Sequence, residues 1–303
     1  MPKSSDISRR RVYTADRVIF CTIGYILLAV FAVFCFLPFW LVVSGSFTSQ
    51  EEILTRGFTL WPQNFTLEGY RLSLENPMAI GRAYGVNILV TGVGTVTSVF
   101  LCTMTGYVLT RKDFPLRNFF SLFFFFTTLF SGGLVPFYIL MVNTLQLKNS
   151  LLALILPALI SVWHILLVKG FMANVPYEIT ESAKIDGAGD FRIFMQLILP
   201  ISTPVIATIS LFTAIGFWND WYRALLFIDD SNKYPLQYFL HNLMVNARAL
   251  RAIMDEIGVV LPILPVESMR MSMTIIVTGP IIFLYPFLQK FFIRGLTVGS
   301  VKG

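Results

Sequence analysis

The 303-residue chain is 55% hydrophobic and only 13% charged, with a mean hydropathy of +0.71, whereas a soluble domain usually carries close to twice that charge. Its net charge of +6 comes from basic residues lying between apolar runs, not on a stripe with interleaved aromatics, which excludes a nucleic-acid surface. Cys21, Cys35 and Cys102 lie inside apolar runs with neither metal-ligand spacing nor a disulfide framework, so no metal site is expected.

A bilayer core is crossed by about 20 apolar residues in helical form. Runs free of Asp, Glu, Lys and Arg extend over Val18–Gln50, Ala83–Thr110, Asn118–Leu147, Asn149–Val168, Ile193–Asn219 and Met271–Gln289. Lipid offers no partner to a backbone N–H or C=O, so each run must be helical. These runs predict an all-α membrane protein of six spans, near 18–46, 84–110, 118–142, 150–170, 194–219 and 271–290, in one domain over 1–303. The first run follows Arg9-Arg10-Arg11 and would suit a signal peptide, but its apolar stretch far exceeds the 7–15 residues such a core needs. Tyr234–Ala247 and Ile257–Val266 are uncharged but too short to span, and read as surface or interfacial helices in a long loop over 221–269.

The larger share of the 23 Lys and Arg falls in the N-terminus, the loops after the second and fourth runs, and the C-terminal tail. By the positive-inside rule this puts both termini in the cytoplasm and the loops around 47–82 and 221–269 outside.

Several absences narrow the function. There is no Gly-Lys dipeptide, hence no Walker A loop, and no Asp, Glu, Lys or Arg in the middle of any run to serve as an ion or proton site. His164 is the one ionisable side chain deep in a run and reads as a hydrogen-bonded packing residue. Phe130-Ser131-Gly132-Gly133-Leu134, followed by Pro136, reads as a helix break or, preferably, as close helix packing. No convergent polar set suggests a catalytic residue.

The loop over 173–193 carries the most information. Pro176 suits a helix start, Glu178 and Glu181 suit its first turns, and Asp186-Gly187 suits its end. Asp190 is expected to cap a second helix through Phe191, Phe194 and Leu197. The predicted product is a short rigid helix across the membrane face.

Glu181-Ser182-Ala183-Lys184-Ile185-Asp186-Gly187, followed after nine intervening residues by Leu197-Ile198-Leu199-Pro200, resembles the EAA motif of binding-protein-dependent ABC importer permeases. Ser182 stands for the second motif Ala, and Leu197 for Ile. The resemblance implies a coupling helix that docks into a partner ATPase, with Glu181, Ala183, Asp186, Gly187, Leu199 and Pro200 as its residues. The ending Gly295-Leu296-Thr297-Val298-Gly299-Ser300-Val301-Lys302-Gly303 is similar to that of maltose-type carbohydrate permeases. It implies a tail, including Gly295, Leu296, Thr297, Gly299, Lys302 and Gly303, that reaches the ATPases. Trp218-Asn219-Asp220-Trp221 and the Phe130–Pro136 segment resemble the LplC/YtcP-like branch, associated with complex oligosaccharides.

The resemblance as a whole implies the type I ABC importer permease fold in a bacterial plasma membrane. It implies a second homologous permease, an ATPase dimer and an extracellular solute-binding lipoprotein as partners. ATP and Mg²⁺ would sit on the ATPases, and no cofactor on this chain. Sugar sites use aromatic faces and a few polar groups, which makes Asn87, Trp163, Trp218, Asn219, Asp220 and Trp221 candidates for the substrate path, against belt and packing roles for the same residues. A permease for amino acids, peptides or phosphate, and an ATP-independent carrier, are the alternatives.

Overall fold

The computed structural model describes residues 15–257, 265–280 and 282. Among these residues the chain is helical throughout, with one isolated extended pairing, Thr48 with Phe65. Two runs form unbroken helices: α1, Ala15–Ser46, and, beyond the short α2 (Gln50–Arg56) and α3 (Glu68–Ser73), α4, Pro77–Thr110. At 1.5 Å per residue each is roughly 50 Å long, well beyond a hydrocarbon core of about 30 Å. Asn76 caps α4 by accepting from the Ala79 N–H (3.1 Å), and Pro77 takes the first position, where its missing N–H costs nothing.

α4 is the central helix. Its buried residues include Ile80, Ala83, Asn87, Val90, Gly94, Ser98, Cys102 and Gly106, at spacings of three and four. Much of that stripe is small, the pattern expected where helices meet in lipid and packing is the main attraction. Against it lie α8 (Val162–Met172) and α12 (Thr203–Trp218). A Cβ on Gly94 would stand 2.6 Å from the Phe217 ring, and one on Gly106 would stand 2.7 Å from Val168 and 3.2 Å from the Ile165 carbonyl.

One continuous helix per apolar run was the expectation, and three runs depart from it. α5 (Arg117–Leu129) and the segment from α6 (Leu134–Ile139) through Thr144 meet at 113°. The glycines there do not serve close packing: space around Gly132 is open, and Gly133, at the start of α6, has φ +85°, a conformation that glycine adopts without strain. The run holding α7 (Leu152–Ile155) bends by 44° into α8, with Pro157 in the turn and Ser161 capping the new helix at His164 N–H. A third bend, of 84°, lies at Ser202, between Pro200 and Pro204, before α12. Each break has a named cause in Pro or in a positive-φ Gly.

The short α9 (Glu178–Ile185), α10 (Asp190–Ile193) and α11 (Leu199–Ile201) gather where α4 and α8 end. At the other end of α12 lie α13 (Tyr222–Phe227), α14 (Leu236–Ile257) and a helix over 266–280, α15. α14 realises the first of the two short uncharged runs, while most of the second lies outside the described residues. His164 Nδ1 is 3.3 Å from Thr213 Oγ1 on α12, the packing contact expected of it.

The α4–α8 crossing gives a paired test. Gly106→Ala should cost about 1–3 kcal/mol by overpacking and lower the melting temperature in detergent by several degrees. Gly170→Ala, which meets open space on α8, should leave it unchanged or raise it.

Candidate functional site

α8 is followed at once by a reversal: Val175 N–H donates to the Met172 carbonyl (3.0 Å) and the Asn174 amide to the Gly170 carbonyl (3.0 Å). Pro176 then opens the turn into α9, with Ile179 N–H donating to its carbonyl (3.3 Å). α9 is two turns long and divides by face. Thr180 and Ala183 are buried, whereas Glu178, Glu181, Ser182 and Ile185 are exposed, Ile185 to 87%. Among the described residues, neither glutamate carboxylate has a hydrogen-bond or ion-pair partner.

The end of α9 is fixed by backbone bonds. Gly187 N–H donates to the Lys184 carbonyl (3.0 Å) and Ala188 N–H to the Ala183 carbonyl (2.9 Å), with Gly187 at φ +78°. This is a Schellman closure, which glycine adopts without the Cβ clash of other residues. Asp186 is the C-cap of α9, between Ile185 and Gly187. Asp190 does not cap the next helix as expected. Gly189 holds the cap position and Asp190 the first turn, because the Asp190 carboxylate is drawn to Arg111.

That contact belongs to a four-residue ion cluster that the sequence reading missed. Arg111, just past α4, pairs with Asp113 in the following loop and with Asp190 (2.6 Å). Lys184 on α9 reaches Asp113 (2.6 Å) and lies 4.0 Å from Asp190. Four charges thus fasten the start of α10 and the last turn of α9 to the end of α4. The Arg111 guanidinium, and after it the Lys184 ammonium, hold the Asp113 carboxyl far below the usual carboxylate range. Asp113 in turn raises both cations. Beside the cluster the Lys112 ammonium lies 5.0 Å over the Tyr177 ring.

Beneath it, Ala183 belongs to a core with Tyr107, Val168, Met172, Phe194, Ile198 and Ile209, so α9 joins a core built by α4, α8 and α12 together. Tyr107 and Phe194 stack at 5.5 Å. Leu199 is half-buried against the same core and Pro200 is exposed in α11. Residues 194–198 form a wide π turn just before Pro200, which supplies no N–H to the helical ladder.

The tail residues Gly295, Leu296, Thr297, Gly299, Lys302 and Gly303 lie outside the described residues. The substrate-path candidates separate. Asn87 and Trp218 are buried: the Asn87 amide donates to the Trp218 carbonyl (3.5 Å), and the Trp218 indole N–H to the Val277 carbonyl (3.3 Å), joining α4, α12 and α15. Asp220 is paired with Arg223 (3.1 Å), whose guanidinium also donates to the Leu154 carbonyl (2.8 Å). Burial pushes the Asp220 carboxyl up, and Arg223 opposes that shift. Asn219 accepts from the Gln237 amide (3.0 Å), and Trp221 stacks on His241 at 4.4 Å. Trp163, 55% exposed, stands apart from these on α8 against Phe212.

Over residues 86–298 the sequence matches the family described as "Binding-protein-dependent transport system inner membrane component". The chain belongs to that family. It is a multi-pass membrane protein of an ABC transport system. It is 39% identical to the "Polygalacturonan/rhamnogalacturonan transport system permease protein YtcP" of Bacillus subtilis (strain 168), over 92% of this chain and 96% of the relative. It is also 39% identical to "Protein LplC" of the same organism, over 88% and 89%. A chain of a bacterial ABC transporter involved in import of the acidic polysaccharide alginate superposes with a TM-score of 0.77 at 24% identity, covering 92% of this chain and 99% of that one. The fold is thus that of a type I ABC permease.

The cluster makes a pH-dependent prediction for α9. A carboxyl lowered on folding stabilises fully above its unfolded pKa of about 4, and that contribution is lost only as pH falls through the still lower folded value. Amide exchange in α9, corrected for its intrinsic pH dependence, should therefore stay equally slow from about pH 8 to about pH 5. Asp113→Asn should accelerate it across that whole range while exchange in the middle of α4 is unchanged.

Proposed function

We propose that this chain is one of two homologous permeases in an importer that takes up an oligosaccharide, and that α9 is the part gripped by a partner ATPase. The observation that carries the reading is the division of α9. One face, Thr180 and Ala183, is buried, with Ala183 in a core shared by α4, α8 and α12, while the other presents Glu181, Ser182 and Ile185 with no partner among the described residues. A half-wedged helix with a solvated acidic and apolar face is suited to a cleft in another protein. The EAA-type spacing from Glu181 to Gly187 and on to Leu199-Pro200 supports the same assignment.

In this reading the chain crosses the membrane six times with both termini in the cytoplasm, as the basic residues favour. The bent pairs count as single spans and the sixth begins in α15. The sugar substrate is supported by the relatives, one of which is named for polygalacturonan and rhamnogalacturonan transport. A solute-binding protein would deliver the sugar to the outer end, near α13 and α14. ATP and Mg²⁺ would act on the ATPases alone.

Closure of the ATPases would move α9. The ion cluster and the Ala183 core would pass that motion to α4, α8 and α12 as one body. Coupling of this kind needs contacts that differ between two states, and a rigid helix in a moving cleft provides them.

Glu181→Ala in the complete complex, reconstituted in liposomes, should cut ATP-driven oligosaccharide uptake at least about tenfold, which corresponds to 1.4 kcal/mol of lost contact. The permease should still fold and insert. Uptake at the unaltered rate would contradict the assignment of α9.

A further inference from the structure

At the end of the bundle away from α9, a cavity of about 370 Å³ opens between α14, α15 and the start of α13. That volume lies within the range of small-molecule sites, about 300–1,000 Å³. Its floor is apolar, with Leu240 and Met273, and its walls carry Trp221, His241, Gln237, Thr274, Arg248 and Arg270. We propose that this cavity binds one acidic sugar unit of the oligosaccharide, its carboxylate held by Arg248 and Arg270 and its ring face laid on Trp221. The proposal rests on the oligosaccharide-importer reading above and adds the site and the charge of its ligand.

Three observations point to this ligand. The first is an aromatic ladder: His241 is stacked on Trp221 at 4.4 Å and 19°, with Tyr238 parallel to it at 6.4 Å. Trp221 ends the ladder and is 38% exposed. An indole held flat by its neighbours offers an apolar, electron-rich surface at little entropic cost, which suits the C–H face of a pyranose. The second is a polar group already oriented. The Gln237 amide N–H is spent on Asn219 (3.0 Å), which leaves its carbonyl oxygen to accept from a sugar hydroxyl.

The third is charge. Arg248 has no ion-pair partner among the described residues, and Arg270 has only a 3.5 Å contact with Glu267 on its own helix, with its side chain 54% exposed. Among the lining residues there is no carboxylate. Two guanidinium groups on an apolar floor favour a carboxylate, which Arg binds in a planar, bidentate manner. A neutral sugar would leave Arg248 without an ionic partner and Arg270 with Glu267 alone.

The test uses the complete importer, with its partner permease, ATPases and binding protein, in liposomes. Trigalacturonate is compared with its fully methyl-esterified form, which has the same rings without the charge. The native complex should take up the acid faster. The double substitution Arg248→Gln with Arg270→Gln should slow acid uptake about tenfold, the loss of roughly one charge-assisted contact, and leave ester uptake unchanged. Trp221→Ala should slow both, and Trp221→Phe should restore both in large part. Equal loss of both substrates in the double variant would assign the arginines to structure and overturn the proposal. So would uptake of neutral oligosaccharides without the acid, although the importer reading would then stand. Absence of ATP-driven uptake of any oligosaccharide would overturn both.

Discussion

The close approach of α8 and α12 to α4 is the constraint on which the other parts of the molecule depend. In lipid there is no hydrophobic drive to press helices together, so contact rests on packing at short range. Gly94 and Gly106 provide it by leaving room for the Phe217 ring and for Val168. With the three helices at that distance, Tyr107, Val168 and Ile209 enclose a core into which Ala183 fits. The same approach brings Arg111 at the end of α4 within reach of Asp190. A wider crossing would deprive α9 of both its core and its charges.

The breaks in the other spans serve a related end. A straight helix from residue 190 to 218 would carry α9 away from α4. The bend at Ser202, set by Pro200 and Pro204, instead turns α10 back beneath the bundle. Backbone groups freed by such bends must find partners, and here the wide turn over 194–198 and the bond from Ser202 N–H to the Ile198 carbonyl (2.9 Å) provide them. At the opposite end, Asn87 bonds to the Trp218 carbonyl and the Trp218 indole to α15, which closes the bundle, and the more exposed Trp221 is carried outward on the next turn.

α9 could be read in advance because its signals are local: Pro176, Glu181 and Gly187 act within a few residues of where they stand. The membrane class was legible for the same reason, since a charge-free run of adequate length is a property of the run itself. The ion cluster was not legible. Asp113 and Lys184 are 71 residues apart, and nothing short of the α4–α8 crossing shows that they meet. Arg111 and Lys184 could be counted as cytoplasmic charges but not matched to partners. The bends escaped for a different reason: apolarity states how much helix is buried and nothing of its direction. Gly132-Gly133 illustrates the limit, for packing and a positive φ use the same residue, and only the backbone distinguishes them. Trp218 and Trp221 are three residues apart with opposite fates, decided by where α12 ends.

The central claim is that the exposed face of α9 lies in a partner ATPase while its other face stays fixed to α4, α8 and α12. Ile185, which is 87% exposed on that face, offers the most direct test. An Ile185→Cys variant, assembled in membranes with its native partners, can be treated with a short bifunctional thiol–amine cross-linker and then with a maleimide label. The account predicts a covalent adduct between this chain and the ATPase subunit, and protection of the new thiol in the assembled complex. A thiol that labels freely in the complex and forms no ATPase adduct would contradict it.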